Sequence, residues 1–429
     1  MARPRRLRLL VWTCFAAALP ALTLGLAYAA AGGALRLERR AWIRDDPGGA
    51  AALDRLRPAG ADETARRLIA AARPIGIELA LLRSSETDLR PTVAFVDGER
   101  HAAADGGSGV PPAIADELRR LAPALDAIED LLVRSGPPVW RFALRLDAHD
   151  APTLGLRDLN ALLLARALQR DRSGDRDGTG RSLLASARLG ESVRDRPEQL
   201  AQATAAWMTA ARAGVLRRLA APPPGWRERL GTHDFRASML VSYQLEARQE
   251  IIYYRGTRFS WRELTASRDA GAAAGLPPAV DRLLTTPYAR WCAADRARRL
   301  RGLAATLRAT EPCRLDPTAV DPSADLPRWN FLARITLPVA TVRWSHVADV
   351  ELDEELTGVV LDSRARPPVA ADAVPSRVCG GLAWNRTPDG SGGVAIETSG
   401  VVLRPRSGRS PWRYHVQPAP VVASPSPSR

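Results

Sequence analysis

One long uncharged stretch constrains the fold of this chain more than any other feature. The 27 residues from Leu9 to Leu35 carry no charge, although 25% of all residues are charged. An α-helix of this length rises ~40 Å, which exceeds the ~30 Å hydrocarbon core of a bilayer. Four arginines lie in the eight residues before it, and a short basic N-terminus favours cytoplasmic placement. We therefore predict a cytoplasmic basic region over residues 1–8 and a transmembrane signal-anchor helix over residues 9–35. The protein would be a single-pass inner-membrane protein with the bulk of the chain in the periplasm.

A cleaved signal peptide is the alternative to an anchor. Ala27-Tyr28-Ala29 fits the small-x-small pattern of a cleavage site. The apolar run before it is longer than the 7–15 residues of a typical signal peptide, which favours the uncleaved anchor. Cleavage near Ala29 would instead release a secreted protein, and both alternatives stay open.

All 61 basic residues are arginine, and the formal net charge is +14. The absence of lysine excludes P-loop nucleotide binding, Schiff-base catalysis and the S-x-x-K enzymes, because each needs a lysine amine. The arginines are scattered beside acidic residues along the whole chain, and an exported domain meets little nucleic acid. We therefore predict no nucleic-acid partner, and a solvated basic surface that favours, if anything, anionic lipid headgroups.

The hydrophobic pattern predicts a mainly α fold with a multi-helix body of helical hairpins and a small C-terminal antiparallel β segment. Proline, glycine and serine punctuate the chain at the boundaries between these parts. The predicted parts after the membrane helix are a linker (36–60), a small α+β subdomain (61–150), a helical body (151–365), a β-rich segment (378–416) and a disordered Pro/Ser tail (417–429).

Individual elements follow from periodicity and turn residues. Apolar residues recur at helical spacing from Ile114 to Leu132, with a kink expected at Pro123. Residues 91–96 and 142–146 are predicted to be strands. Further helices are predicted over 62–72, 156–170, 179–194, 197–219, 234–254, 287–309 and 326–363, and C-terminal strands over 380–386, 394–398, 400–405 and 412–416.

Three cysteines follow the membrane segment: Cys292, Cys313 and Cys379. The helix predicted over 287–309 would hold Cys292 and Cys313 ~25–30 Å apart, too far for a disulfide. A disulfide would therefore join Cys379 to one of the other two. Cys313, in a loop, is the easier partner, and we predict the pair Cys313–Cys379.

The segment 171–180 (DRSGDRDGTG) has some features of a calcium loop. Ser173, Asp175 and Asp177 occupy the spacing of its first three ligands. The bidentate acid that such a loop needs at its twelfth position is replaced by Leu184, which cannot bind a cation. We therefore interpret the segment as a polar connector within a helical hairpin, and we predict no metal site and no cofactor.

Several other polar and aromatic residues are weak candidates for chemistry. A run of acids on the last long helix would suit acid–base work on a glycan, although such runs are normally solvated faces. Tryptophans in the C-terminal half would suit stacking on sugar rings, although core packing is their more common role. The candidates are the acids Asp349, Glu351, Asp353, Glu354 and Glu355, the tryptophans Trp329, Trp344, Trp384 and Trp412, the group Asp147, His149 and Asp150, the pair His346 and Asp349, and Ser108.

Five stretches together resemble uncharacterised proteins of high-GC bacteria that carry an N-terminal membrane segment. They are RPEQLAQ, PPPGWRERL, LPRWNFLARITLP, ELDEELTGVVLDSR and SRVCGGLAWNRTPDG. The resemblance implies a membrane segment, a helical body and a small β-rich end, and it implies no activity. The helical hairpin around residue 175 also resembles a single tetratricopeptide-type unit, without a second copy at a fixed period.

These observations favour a membrane-anchored envelope protein whose helical body is a protein-binding or scaffolding module facing the periplasm. The protein partner is unknown, and no residue is assigned a catalytic, cofactor-binding or metal-binding role. The alternative is an exported enzyme that acts on glycans or the cell wall, with Asp349 or Glu351 among its carboxylates.

Overall fold

A computed structural model of the protein describes residues 3–55, 60–79, 88–105, 109–142, 153–261, 277–311, 326–390, 392–399 and 412–417. The molecule is 69% helical, with twelve α-helices, an apolar N-terminal helix and a small C-terminal antiparallel sheet in these residues. The predicted fold class is confirmed.

The helices are α1 (Arg3–Asp45), α2 (Pro47–Arg55), α3 (Glu63–Ala72), α4 (Arg90–Arg100), α5 (Pro112–Arg120), α6 (Ala122–Ser135), α7 (Thr153–Arg172), α8 (Arg176–Arg194), α9 (Gln199–Arg218), α10 (Phe235–Gly256), α11 (Pro278–Ala309) and α12 (Phe331–Ala365). The strands are β1 (Asp372–Pro375), β2 (Ala383–Pro388), β3 (Val394–Ser399) and β4 (Arg413–Val416).

Helix α1 contains the predicted membrane segment and continues beyond it. The stretch Ala18–Asp45 is long and apolar enough to cross a membrane, with a mean hydropathy of 1.5 over its best window. The helix does not stop at Leu35, because Leu35 and Trp42 are buried against the body and stabilise the extra turns. The segment predicted as a linker is therefore largely helical: α1 runs to Asp45, and α2 follows after one residue.

The strand predicted over residues 91–96 is wrong. These residues lie within α4, which begins with Pro91 in its first turn, where proline is well tolerated. Val93 and Val96 are three residues apart and both are buried on one side of this helix. Their burial therefore follows the period of a helix and not the every-second-residue pattern of a strand. The strand predicted over 142–146 lies almost wholly outside the described residues.

The helix predicted from Ile114 to Leu132 is interrupted near Pro123, where the sequence predicts a kink. Helix α5 ends at Arg120 and α6 begins at Ala122, which places Pro123 in the first turn of the new helix. Proline lacks an N–H and clashes with the preceding turn, so the regular helix is interrupted at Leu121, which keeps helical dihedral angles.

The centre of the body is the hairpin of α7 and α8, against which α9 and α4 pack. Helix α7 is buried over most of its surface, with six of its leucines fully buried, as expected of a helix at the centre of a core. Helices α9 and α4 approach closely at Gly214, where an added Cβ would lie 2.4 Å from Cα of Arg100. A larger residue at 214 would push these two helices apart.

The four strands form an antiparallel meander in the order β1-β2-β3-β4. Strand β2 pairs with β3 over six residues, from Ala383 opposite Ser399 to Pro388 opposite Val394. One face of the sheet packs on the second half of α12, where Trp384 and Ile396 join Leu356 in a separate apolar cluster. Strand β1 is an element that the sequence does not predict. The strand predicted over 400–405 lies outside the described residues.

A buried ion network joins α12 to α9 and α4. The side chain of Arg217 is 2% exposed and donates to Asp353 Oδ1 (3.0 Å), Thr357 Oγ1 (2.8 Å) and the backbone oxygen of Arg100 (2.8 Å). Arg100 Nε in turn donates to Asp353 Oδ2 at 2.8 Å. One carboxylate therefore neutralises two guanidinium groups at the point where three helices meet.

We expect Asp353→Ala to destabilise the protein by ~3–5 kcal/mol, because it leaves the buried charge of Arg217 without its counter-ion. The control is Asp130→Ala, which removes a partly exposed helical aspartate paired with Arg134 and should cost less than ~1 kcal/mol. Thermal unfolding of the full chain in detergent, followed by far-ultraviolet circular dichroism, measures both. Equal losses for the two variants would contradict a central role for Asp353.

Candidate functional site

A cleft of about 420 Å³ lies between α12, the start of α10 and the first strand of the sheet. We call it the α10–α12 cleft. Its walls come from the segment before α10, from one face of the second half of α12, and from β1 with the loop that follows it. The polar residues that line it are Arg227, His233, Asp234, Arg236, Glu351, Glu354, Glu355, Asp362 and Arg377.

Helix periodicity brings three acids of α12 into this cleft. Glu351, Glu354 and Glu355 stand at i, i+3 and i+4, a spacing that puts their Cβ atoms ~5–6 Å apart on one face. Asp353 falls on the opposite side and enters the buried network with Arg217. Helical periodicity thus places Asp353, which has a structural role, on a different face of α12 from the acids that line the cleft.

Burial changes the protonation of the cleft carboxyls. Loss of hydration raises the pKa of Glu351 to about 7, and Arg236 opposes the shift only in part. Burial also raises the pKa of Glu354, against the opposing charge of Arg212 and a hydrogen bond from the backbone of Gly231. A carboxyl that is partly protonated near neutral pH can donate as well as accept a hydrogen bond.

The backbone turn at Gly231 positions that hydrogen bond. Gly231 has φ +66°, in the left-handed region that other residues adopt at a cost of roughly 1–2 kcal/mol. This conformation lets the chain turn from the loop after α9 into the start of α10 with the N–H group of Gly231 facing Glu354.

His233 contributes a neutral imidazole to the same wall. Burial and the nearby charge of Arg194 lower its pKa to about 4, so the ring is uncharged near neutral pH. Its Nε2 atom lies 3.1 Å from Ser238 Oγ, and its ring meets Phe235 edge to face. Asp234 then caps α10 by accepting a 2.8 Å hydrogen bond from the backbone of Ala237.

A second cavity of about 120 Å³ adjoins the cleft and shares Leu230, His233 and Glu354 with it. Arg212 of α9 lines this cavity, and its Nη1 atom is shielded from solvent without a hydrogen-bond partner among the described residues. Desolvation lowers the pKa of Arg212, yet guanidinium keeps its charge in proteins. A shielded cation with a spare N–H suits an acidic group of a ligand.

Glu355 has a structural role at the edge of the cleft. It accepts hydrogen bonds from Trp384 Nε1 (2.9 Å), Ser376 Oγ (2.5 Å) and the backbone N–H of Arg377 (2.5 Å). These contacts hold the first two strands and their connection against α12. The carboxylate is therefore committed to the fold, which leaves Glu351 and Glu354 as the acids available for a ligand.

The expectation that the acidic run is a solvated face is wrong. Asp353 and Glu354 are each 6% exposed, and burial also raises the pKa of Asp349 to about 6. The cause is tertiary: arginines of α4 and α9 and the C-terminal sheet pack on this part of α12. The sequence spacing alone does not reveal those neighbours.

The tryptophans divide between core and surface. Trp384 and Trp412 are buried and meet edge to face at 6.1 Å, so they pack the sheet and are not open platforms for sugar rings. Trp329 is 42% exposed but is not among the residues that line the cleft. The side chain of Trp344 lies outside the described residues.

The remaining candidates do not enter the cleft. Segment 171–180 joins α7 to α8, and Asp175 caps α8 through a 2.9 Å hydrogen bond from the backbone of Gly178, as expected of a connector. Among the residues that the structure describes, no group of three or more His, Cys, Asp or Glu side chains suits a metal ion. Ser108, the group 147–150 and the side chain of His346 lie outside the described residues.

The structure tests only part of the predicted disulfide between Cys313 and Cys379. Cys379 is disulfide-bonded, whereas Cys292 is free and buried at 0% exposure. Cys313 lies outside the described residues, so the pair Cys313–Cys379 stays a prediction. Glu311, two residues before Cys313, accepts a hydrogen bond from the backbone of Gly380, next to Cys379.

The sequence does not identify three residues of this site. Arg212 looks like any other arginine of an alanine-rich helix, and His233 is an isolated histidine without a motif. Gly231 has an ordinary turn composition around it. The spacing i, i+3, i+4 does mark the acids of α12 in the sequence, but the groups that face Glu351 and Glu354 are more than 100 residues away in the chain.

No family model, no curated protein and no solved structure matches this chain. Its function therefore has to be argued from its own residues and geometry.

Stability should depend on pH through Glu351. The folded protein keeps this carboxyl protonated up to about pH 7, whereas an unfolded chain releases the proton near pH 4.5. Folding takes up a proton between these values, so this group makes stability fall as pH rises from 4.5 to 7. We expect Glu351→Gln to raise the melting temperature by a few degrees at pH 8 and not at pH 4.

Thermal unfolding of the full chain from pH 4 to 8 measures this dependence. Glu397→Gln, at an exposed glutamate of β3, is the matched control and should leave the pH profile unchanged. If Glu351→Gln and wild type keep the same difference in melting temperature at both ends of the range, the protonation assigned to Glu351 is wrong.

Proposed function

We propose that the protein is a single-pass inner-membrane protein whose helical body is a binding or scaffolding module facing the periplasm. The observation that carries this proposal is the form of α1, an apolar helix whose residues 18–30 are largely exposed. Leu19, Leu22 and Leu26 are 60–64% exposed, and exposed leucines in consecutive turns of a 43-residue helix suit a lipid environment.

The disulfide supports the periplasmic orientation. Disulfides persist in oxidising compartments such as the bacterial periplasm and are rare in the cytosol. The bonded Cys379 therefore fits a body on the outer side of the membrane. The four arginines before the apolar run favour the same orientation, because positive charge is retained in the cytoplasm. The resemblance to membrane-anchored proteins of high-GC bacteria agrees with this proposal.

The α10–α12 cleft is the proposed binding site of this module. It combines carboxyls that can donate hydrogen bonds, a neutral imidazole and a guanidinium with a spare N–H, and such convergent polar groups are typical of ligand sites. A polar ligand that has hydroxyl groups and an acidic group would satisfy these atoms.

A second candidate function is hydrolysis of a cell-wall glycan, favoured by the pairing of Glu351 with Glu354. Glycoside hydrolysis needs one carboxyl that is protonated near neutral pH and a second within about 5–10 Å. Glu351 has the raised pKa of a general acid, and Glu354 lies one helical turn away beside a cation. An adjoining cavity gives the substrate room.

The orientation is tested by fusing reporters to the C-terminus of the full chain. We expect an alkaline phosphatase fusion to be active and a green fluorescent protein fusion to be dark, because the body is periplasmic. Replacing the four N-terminal arginines by glutamate, the matched control, should lower phosphatase activity several-fold. A fluorescent fusion with inactive phosphatase would overturn the proposal.

The same strains test the disulfide. Non-reducing peptide mapping should recover one cross-linked peptide pair containing Cys313 and Cys379, and Cys379→Ser should leave Cys313 open to alkylation. Recovery of both residues as free thiols from wild-type membranes would contradict the pairing.

Incubation of the full-length protein with purified peptidoglycan separates the two candidate functions. Hydrolysis predicts soluble fragments from wild type and at least a ~100-fold lower rate for Glu351→Gln, since this variant removes a general acid. Glu397→Gln should keep the wild-type rate. Absence of fragments from wild type, or equal rates for all three proteins, would reject the hydrolase and leave the binding module.

A further inference from the structure

Helices α1 and α11 lie side by side and parallel, and both run from the apolar segment of α1 towards the body. Glu38 pairs with Arg298 (3.1 Å) and Trp42 Nε1 donates to the backbone oxygen of Ala297 (3.1 Å). Nearer the N-terminus, the guanidinium of Arg290 lies 5.5 Å from the ring centre of Tyr28. The partners in the two helices are thus separated by about 260 positions throughout.

The seam between these helices extends into the apolar segment of α1. One row of buried or partly buried residues of α1 recurs at alternating intervals of four and three, the spacing of a helix that packs against a neighbour, and Gly32, Gly33, Ala34 and Ala41 beside this row are also partly buried. This row consists of Leu24, Tyr28, Ala31, Leu35, Glu38 and Trp42. Leu24 and Tyr28 lie inside the uncharged run, so the body accompanies α1 beyond its polar end.

Helix α11 begins well before its contact with Tyr28. It starts at Pro278, twelve residues before Arg290, and these residues rise ~18 Å. At the register of the seam, residues 280–284 stand level with residues about 20–25 of α1. A bilayer core of ~30 Å spans ~20 residues, so counting from Leu9 it ends near residue 28. The first turns of α11 therefore stand at the depth of the outer leaflet.

The surface that α11 presents at this level is apolar and exposed. Val280, Leu283 and Leu284, at i, i+3 and i+4, share one face and are 39%, 45% and 52% exposed. Ile252, close to the end of the antiparallel helix α10, is 51% exposed. Trp291, at the level where the bilayer core ends, is 44% exposed, and tryptophan favours the membrane interface.

We propose that the first turns of α11 insert into the outer leaflet beside α1. The body would then contact the membrane directly, in addition to its connection through α1. This inference rests on the proposed role of α1 as a membrane anchor. The occupant of the apolar surface is the lipid bilayer, because the neighbouring helix α1 carries the exposed leucines Leu22 and Leu26 at a similar depth.

The charged groups at this end of the molecule are compatible with a lipid interface. Asp281 accepts hydrogen bonds from Thr285 Oγ1 (2.9 Å) and the backbone of Trp261 (3.1 Å). Arg282 is exposed and has a long stem that can extend to the headgroups. Arg255 and Arg258 are exposed at the end of α10, where positive charge complements anionic headgroups.

Photo-crosslinking in native membranes tests this proposal on the full chain. A benzophenone amino acid replaces Leu284, Leu26 or Val369 in cells grown with radiolabelled fatty acids. Val369 is the matched control, a fully exposed apolar residue in the loop before β1. We expect position 284 to take up lipid label at least five-fold above position 369, and position 26 to do the same.

The outcomes separate this proposal from the anchor itself. Label at position 26 but not at 284 would overturn the insertion of α11 and leave the anchor intact. Absence of label at both positions would overturn the anchor too. A protein adduct at 284 in place of lipid would show that another chain or a second copy covers this face, which also overturns the proposal. Because all three positions are exposed, trypsin resistance of the body verifies that each variant is folded.

Discussion

The salt bridge between Arg217 and Asp353 is the interaction on which the arrangement of the C-terminal half depends. A buried guanidinium costs free energy unless its donors are satisfied, and here Arg217 reaches a carboxylate, a hydroxyl and backbone oxygens of two helices. The bridge sets the rotation of α12 about its own axis. Once Asp353 faces α9, helical periodicity turns Glu351 and Glu354 towards α10.

Arginine is used throughout this protein as a structural connector. Its planar group carries five donors and can join a carboxylate and several carbonyl oxygens at once. Arg196 donates to the backbone oxygens of Trp140 and Arg141, and Arg364 bridges Asp105 to the backbone of Leu219. A chain without lysine thus secures loops and strand ends where a single ammonium group would satisfy fewer acceptors.

The apolar N-terminal segment and the cleft are connected through continuous secondary structure. Helix α1 passes from the apolar segment into the body without a break, and α11 packs along it and then against α12. With α1 as the proposed membrane anchor, the body would have a defined height and rotation relative to the bilayer, unlike a domain on a flexible linker. The α10–α12 cleft would then open at a set distance from the membrane surface, which suits a module that binds material at the cell envelope.

The sequence by itself determined the fold class, the apolar N-terminal helix and most of the long helices, because these depend on local periodicity and on charge contrast. It also predicted that α12 carries a row of acids, and it predicted β2, β3 and β4 from hairpin turns and alternation. Only the tertiary structure decided which acids are structural and which line a cleft, because burial by α4, α9 and the sheet sets their pKa values. It likewise decided that residues 91–96 form a helix and that α1 extends to Asp45. Contacts such as Trp42 with Ala297, 255 positions away, stabilise those turns, and local sequence carries no record of them.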